Sequence, residues 1–78
     1  MDILIKAIRQ AGGPIKVASR IGRHRQTVHR WYAKGLPYTE FTGETIYSET
    51  LEMMQRENLV PAEDIVTAKT LLAAARAA

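Results

Sequence analysis

The stretch Ile15–Lys34, IKVASRIGRHRQTVHRWYAK, decides the fold of this 78-residue chain. Ala18 and Gly22 stand four residues apart. The small side chain of Ala18 permits a close helix crossing, and Gly22 permits a positive φ in the turn. The spacing predicts one helix that ends near Ile21 and, after a tight turn, a second helix over 25–34. This arrangement is a helix-turn-helix motif. Its predicted core consists of Val17, Ala18, Ile21, Gly22, Val28 and Trp31.

Helical periodicity recurs on both sides of the motif, and no alternating strand pattern persists. Gly12 and Gly13 stop the first helix, and Pro14 suits the first position of the next one, where its missing N–H costs nothing. The turn-forming residues of 35–43 connect the motif to the C-terminal half. We therefore expect one all-α domain over 1–78. Its five predicted helices cover residues 3–11, 14–21, 25–34, 44–57 and 61–76.

Length and composition limit the classes of protein to which this chain can belong. A chain of 78 residues is close to the size at which a single core is marginal, so help from a second subunit is expected. There is no cysteine, which excludes disulfides and thiolate metal sites. No apolar run approaches the length of a membrane span, and the N-terminus MDILIKAIRQ lacks the apolar core of a signal peptide. We expect a cytoplasmic protein that does not enter a membrane.

Charge is distributed unevenly between the two halves of the chain. Residues 1–35 contain eight basic residues and one acidic residue, which gives a net charge of +7. Residues 36–78 contain three basic and seven acidic residues, which gives a net charge of −4. A basic half is the electrostatic footprint of a polyanion-binding protein, and an acidic half discourages indiscriminate wrapping of a nucleic acid. For the charge taken alone, a solvated basic surface without a ligand is the simpler alternative.

The second motif helix separates an apolar face from a polar one. With Val28 at the centre of the buried face, Trp31 and Tyr32 lie beside it at about 100° per residue, and Ala33 points the other way. Glutamine pairs bidentately with adenine, and arginine with guanine, so double-stranded DNA is the expected partner. Base readout is expected from Arg25, Gln26, His29 and Arg30. Phosphate contacts are expected from Lys16, Arg20, Arg23, His24 and Lys34.

Other chemistries have weaker support in the sequence. Trp31 is in register with Val28, which favours a core position over a base-stacking one. His24 and His29 are five residues apart, about 140° around a helix, and do not form the i, i+4 pair that holds a metal ion. No nucleophile paired with a base is recognisable. We therefore expect no enzyme activity, no metal ion and no cofactor.

The stretch AGGPIKVASRIGRHRQTVHRWYAKGLP at 11–37 resembles the Cro-like phage repressors and the related YdaS-type helix-turn-helix regulators. TGETIY at 42–47 resembles the linker and fourth helix of the same group. The residues that carry the resemblance are Ala11, Gly12, Gly13, Val17, Ala18, Ile21, Gly22, Arg25, Gln26, Val28, Arg30, Trp31, Gly35, Leu36 and Pro37. The resemblance covers 3–66 and implies a small, five-helix, lambda-repressor-like domain. Such a domain is expected to act as a homodimer on an inverted-repeat operator and to repress transcription on the nucleoid of a bacterial or phage-infected cell.

Three features depart from the pattern of this group. His24 stands where these proteins usually carry Ser or Thr as a helix cap, so we expect a poorer cap and a contact to phosphate that makes binding sensitive to pH. Pro14 stands where many of them carry a Gln or Ser that grips phosphate. The last helix extends past the usual pattern, and we hypothesise that Leu71 and Leu72 support dimerisation or a partner contact.

Two other functions stay open at this point. The acidic C-terminal half suits a protein partner, as in an antitoxin or adaptor whose DNA binding is only autoregulatory. A phage activator or excision factor that bends DNA is a third, weaker alternative. The favoured interpretation is a sequence-specific repressor, because the expected readout residues follow the motif turn.

Overall fold

A computed structural model describes residues 2–77, and within this range it contains six α-helices, one short 3₁₀ helix and no β-strand. The all-α prediction is therefore confirmed. The α-helices are α1 Asp2–Gln10, α2 Pro14–Ile21, α3 Arg25–Lys34, α4 Thr39–Thr42, α5 Tyr47–Glu57 and α6 Ala68–Ala77. The 3₁₀ helix covers Ala62–Asp64.

The turn between α2 and α3 has the backbone that its sequence predicts. Gly22 adopts the left-handed conformation with φ 69° and ψ 32°, which a residue without a Cβ enters at little cost. The N–H of Arg23 donates to the carbonyl of Ala18 at 3.0 Å, so the end of α2 is closed by a backbone hydrogen bond. The chain then needs only 22–24 to reverse direction into α3.

The apolar faces of the helices meet in one core. Val17 and Ala18 of α2 and Val28 and Trp31 of α3 are all buried in it, and Ile21 packs against it from the side. The ring of Trp31 also lies 5.0 Å, centroid to centroid, from the ring of Tyr47 at the start of α5. The buried apolar residues are Leu4, Ala7, Ile8, Ala11, Val17, Ala18, Val28, Trp31, Leu36, Leu51, Met54, Val66 and Leu71.

The predicted helix over 44–57 begins later than expected, at Tyr47. The short α4, which the sequence did not predict, carries Glu40, and the carboxylate of Glu40 is buried beneath the start of α5. It accepts hydrogen bonds from the N–H groups of Tyr47 at 2.8 Å and Ser48 at 2.7 Å, and from the hydroxyl of Thr45. A carboxylate at this end of a helix satisfies free N–H groups and complements the helix dipole. This distant side chain therefore fixes where α5 begins.

The predicted helix over 61–76 is also wrong at its start, because α6 begins at Ala68. After the 3₁₀ helix the backbone is extended at Ile65, and Gln55 of α5 holds the next residue, Val66. The Gln55 amide donates to the carbonyl of Val66 at 2.9 Å and accepts from the N–H of Val66 at 2.9 Å. These bonds keep the segment before α6 out of a helix.

Helix α6 packs on the core more deeply than expected. Leu71 is fully buried, so it has no free surface with which to make the predicted dimer or partner contact directly. Leu72, beside it on α6, is half-buried. The burial of Leu71 makes α6 an integral part of the core that also supports α1 and α5.

Within residues 2–77 no helix is both long enough and apolar enough to cross a membrane.

Candidate nucleic-acid interface

Helix α3 presents one exposed polar face and one buried apolar face. Its sequence RQTVHRWYAK places Val28 and Trp31 in the core, with 0% and 3% of their surfaces exposed. The side chains of α3 that the sequence predicts to contact DNA point outward, because a helix with 3.6 residues per turn places them opposite Val28 and Trp31. We call this exposed face and the turn before it the α3 surface, and it consists of Arg23, His24, Arg25, Gln26, His29, Arg30, Ala33 and Lys34, all exposed.

His24 caps the start of α3 with its side chain. Its backbone is extended, with φ −71° and ψ 147°, as a helix-capping residue requires. Its Nδ1 accepts a hydrogen bond from the N–H of Gln26 at 3.2 Å, which requires an unprotonated Nδ1. The imidazole therefore supplies the acceptor that Ser, Thr, Asp or Asn usually supplies at the start of a helix.

The cations of the α3 surface are not neutralised by neighbouring carboxylates. In the part of the chain that the structure describes, the two ion pairs are Arg20 with Glu57 and Arg56 with Glu52. Neither involves a residue of the α3 surface, whose four cations are Arg23, Arg25, Arg30 and Lys34. Unpaired cations on one helix attract an extended polyanion more strongly than the same charges scattered or paired.

Lys16 and Arg20, which the sequence assigned to phosphate contacts, direct their charged ends at α5. Arg20 donates two hydrogen bonds to the carboxylate of Glu57, at 2.7 and 2.8 Å, and Lys16 donates to the side-chain oxygen of Asn58 at 3.4 Å. The hydrogen bonds from Arg20 lower the pKa of Glu57 and raise the pKa of Arg20 itself. The structure therefore brings Arg23 to Lys34 together on one surface and engages Lys16 and Arg20 elsewhere.

One side of the α3 surface borders an open cleft of about 420 Å³. Thr27, Arg30 and Lys34 line it at helical spacing, and Tyr38 of the following loop stands at its edge with 74% of its surface exposed. Thr27 is not among the residues that the sequence pattern predicts to contact DNA. The signal that could have found it is the i, i+3, i+7 relation of Thr27 to the two cations.

Fewer acidic side chains are free on the surface than the sequence suggests. Glu40 is buried as the cap of α5, and Glu57 is bound to Arg20. Glu52 accepts from Arg56 at 2.7 Å and from the N–H of Ala68 at 2.7 Å, so it caps α6. The hydrogen bond from Arg56, followed by that from Ala68, lowers the pKa of Glu52. Three of the seven carboxylates of 36–78 are therefore engaged in contacts within the fold.

Among residues 2–77 no three His, Asp or Glu side chains are grouped so that they could hold a metal ion. No protein-family model, curated protein or solved structure matches this chain.

Proposed function

We propose that this protein is a sequence-specific double-stranded DNA-binding repressor of the Cro-like, helix-turn-helix type, with α3 as the helix that enters the major groove. The observation that carries the proposal is the α3 surface. It combines side chains able to read base edges with cations that have no carboxylate partner among the described residues. The opposite face of the same helix is fixed in the core, so the surface is presented on a rigid element.

Each group of the α3 surface has a role in this proposal. Gln26 and Arg30 read base edges, since an amide matches adenine and a guanidinium matches guanine. Arg25 and His29 are the further base contacts. Arg23, His24 and Lys34 at the two ends of α3 contact the phosphates that flank the groove.

We propose a homodimer as the active form on DNA. A two-fold dimer on an inverted repeat places its two recognition helices about 34 Å apart, one turn of duplex. A bound dimer represses by occupying the DNA that polymerase needs, so the mechanism requires no catalytic group.

Selection of bound duplexes from a random-sequence library tests the proposal. The selected duplex and a scrambled duplex of equal length are then titrated with the protein at several salt concentrations. We expect an inverted repeat to be enriched, with a preference over the scrambled duplex of about a thousandfold or more. Equal and steeply salt-dependent binding to both duplexes would contradict sequence-specific recognition and direct attention to a protein partner instead.

A further inference from the structure

Tyr32 and His29 form an aromatic pair on α3. Their ring centroids are 5.5 Å apart and their planes are inclined at 82°, so the edge of one ring meets the face of the other. This geometry is attractive, because the positive edge of one aromatic ring meets the negative face of the other. The two residues are three apart, which brings side chains together on one side of a helix.

The two partners of this pair differ in how they are anchored. Tyr32 is half-buried and packs against the hydrophobic core, whereas His29 is exposed on the α3 surface. The structure gives the side chain of His29 no hydrogen bond and no ion pair with any described residue, so the ring of Tyr32 is the contact that restrains its imidazole.

An imidazole that is held in one rotamer before binding contacts a base edge at a lower entropic cost than a mobile one. An exposed side chain that samples several rotamers loses that freedom when it binds, and the loss weakens binding. A contact that already holds the rotamer in the free protein removes part of this cost. Binding sites hold their contacting groups in place through neighbours of this kind.

We propose that Tyr32 is a positioning residue, which holds the imidazole of His29 in the orientation that reads a base edge in the major groove. The inference rests on the proposed function, since it assigns a task within DNA readout. Tyr32 acts through the face or edge of its ring, so its hydroxyl is not required.

The test compares Tyr32→Phe, Tyr32→Leu and His29→Ala with the wild-type protein. Preference for each base pair is measured across the selected duplex by competition with singly substituted duplexes. His29→Ala identifies the base pair that His29 reads. We expect Tyr32→Leu to reduce preference at that base pair by about two- to tenfold, the range that corresponds to immobilising one side chain. Tyr32→Phe should retain the wild-type preference at every position.

Phe41→Leu is the control, because it removes an aromatic ring from an exposed position on α4, outside α3. It should leave preference at the His29 base pair unchanged. An unchanged preference in Tyr32→Leu, a uniform loss over all base pairs, or an equal loss in Tyr32→Phe would each overturn the positioning role.

A measurement on the free protein separates this inference from the proposed function. Side-chain coupling constants of His29 report whether its χ1 angle has one value or an average. We expect one rotamer in the wild-type protein and in Tyr32→Phe, and averaging in Tyr32→Leu. Rotamer averaging of His29 in the wild-type protein would overturn the inference whatever the DNA result. A single rotamer of His29 in a protein that shows no base preference would overturn the proposed function. In that case only the contact between Tyr32 and His29 would stand.

Discussion

Gln26 shows how one residue serves both the fold and the proposed readout. Its backbone N–H is held by the imidazole of His24, and its side chain is exposed on the α3 surface. The backbone bond fixes where α3 starts, and the free amide is available to a base edge. Side-chain changes at this position therefore alter the surface and leave the helix start in place.

We expect Gln26→Ala to lower discrimination at one base pair by about 1–3 kcal/mol and to leave the melting temperature nearly unchanged. The change removes a pair of hydrogen bonds to one base without removing any buried contact. Competition binding with singly substituted duplexes measures the effect, and Lys69→Ala on the exposed side of α6 is the control. Equal weakening on the selected and scrambled duplexes would contradict the assignment of Gln26 to base readout.

The buried side-chain amide of Gln55 links α5 to the segment that precedes α6. All four hydrogen-bonding positions of the Gln55 side chain are used: it donates to the carbonyls of Leu51 and Val66 and accepts from Gln10 and the N–H of Val66. Gln55 is fully buried, so no water replaces a lost partner.

We expect Gln55→Glu to lower the free energy of unfolding by about 2 kcal/mol or more. The substitution keeps the shape but sets carboxylate oxygens against two carbonyl oxygens, and a buried polar group without its partner costs about 1–3 kcal/mol. Urea denaturation measures the loss. Gln26→Glu makes the same chemical change at an exposed position, and a similar loss in that control would mean that the burial of this amide is not the cause.

Two ion pairs that involve carboxylates of α5 make the free energy of unfolding depend on pH in the acidic range. The pKa values of Glu52 and Glu57 are lowered in the folded protein by Arg56 and Arg20, whereas in the unfolded chain they lie near the ordinary value of about 4.3. The unfolded state therefore binds more protons as the pH falls, and the contribution of both groups, complete above about pH 5, is lost as the pH falls through the lowered pKa values. Both pairs are partly exposed, so the contribution of each is small.

We expect the wild-type protein to lose more stability between pH 5 and pH 3 than the double variant Glu52→Gln, Glu57→Gln. Urea denaturation at a series of pH values gives the two curves. The remaining acidic groups are common to both proteins and cancel in the comparison. Parallel curves would show that neither ion pair contributes to acid sensitivity.

Local patterns in the sequence were sufficient to predict the bounds of some helices and insufficient to predict those of others. The turn at Gly22 and the span of α3 follow from periodicity and one glycine, which act over a few residues. The starts of α5 and α6 depend on Glu40 and Gln55, whose partners lie 7 to 11 residues away and leave no periodic trace. For the same reason, sequence alone did not distinguish a free arginine from Arg20, whose partner Glu57 is 37 residues away.

At the scale of the whole molecule, unpaired positive charge is concentrated on the α3 surface more than the division of the sequence into a basic and an acidic half suggests. The α3 surface keeps its cations free of described carboxylates, while Arg20 is neutralised by Glu57 across the contact of α2 with α5. An arginine that faces phosphate releases counterions when DNA binds, and one that faces a carboxylate releases fewer. The two arginines Arg20 and Arg23 should therefore behave differently, although the sequence assigned both to phosphate contacts.

We expect Arg23→Ala to reduce the slope of log K against log salt by about 0.9, the value for one lost phosphate contact. Arg20→Ala should change the slope much less and should lower the free energy of unfolding slightly, since it leaves Glu57 without its partner. Salt titrations on the scrambled duplex measure both slopes. Equal changes in the two variants would show that the ion pair opens on DNA and that Arg20 contacts phosphate as well.

The most direct test of the central claim, that the α3 surface is the DNA interface, is a map of backbone amide chemical-shift changes as the selected duplex is added to isotope-labelled protein. We predict the largest changes over 23–34, with little change over the exposed positions of α5 from Glu49 to Glu57. Changes centred on α5 and α6, with 23–34 unaffected, would contradict the claim and place the binding surface on the acidic half of the molecule.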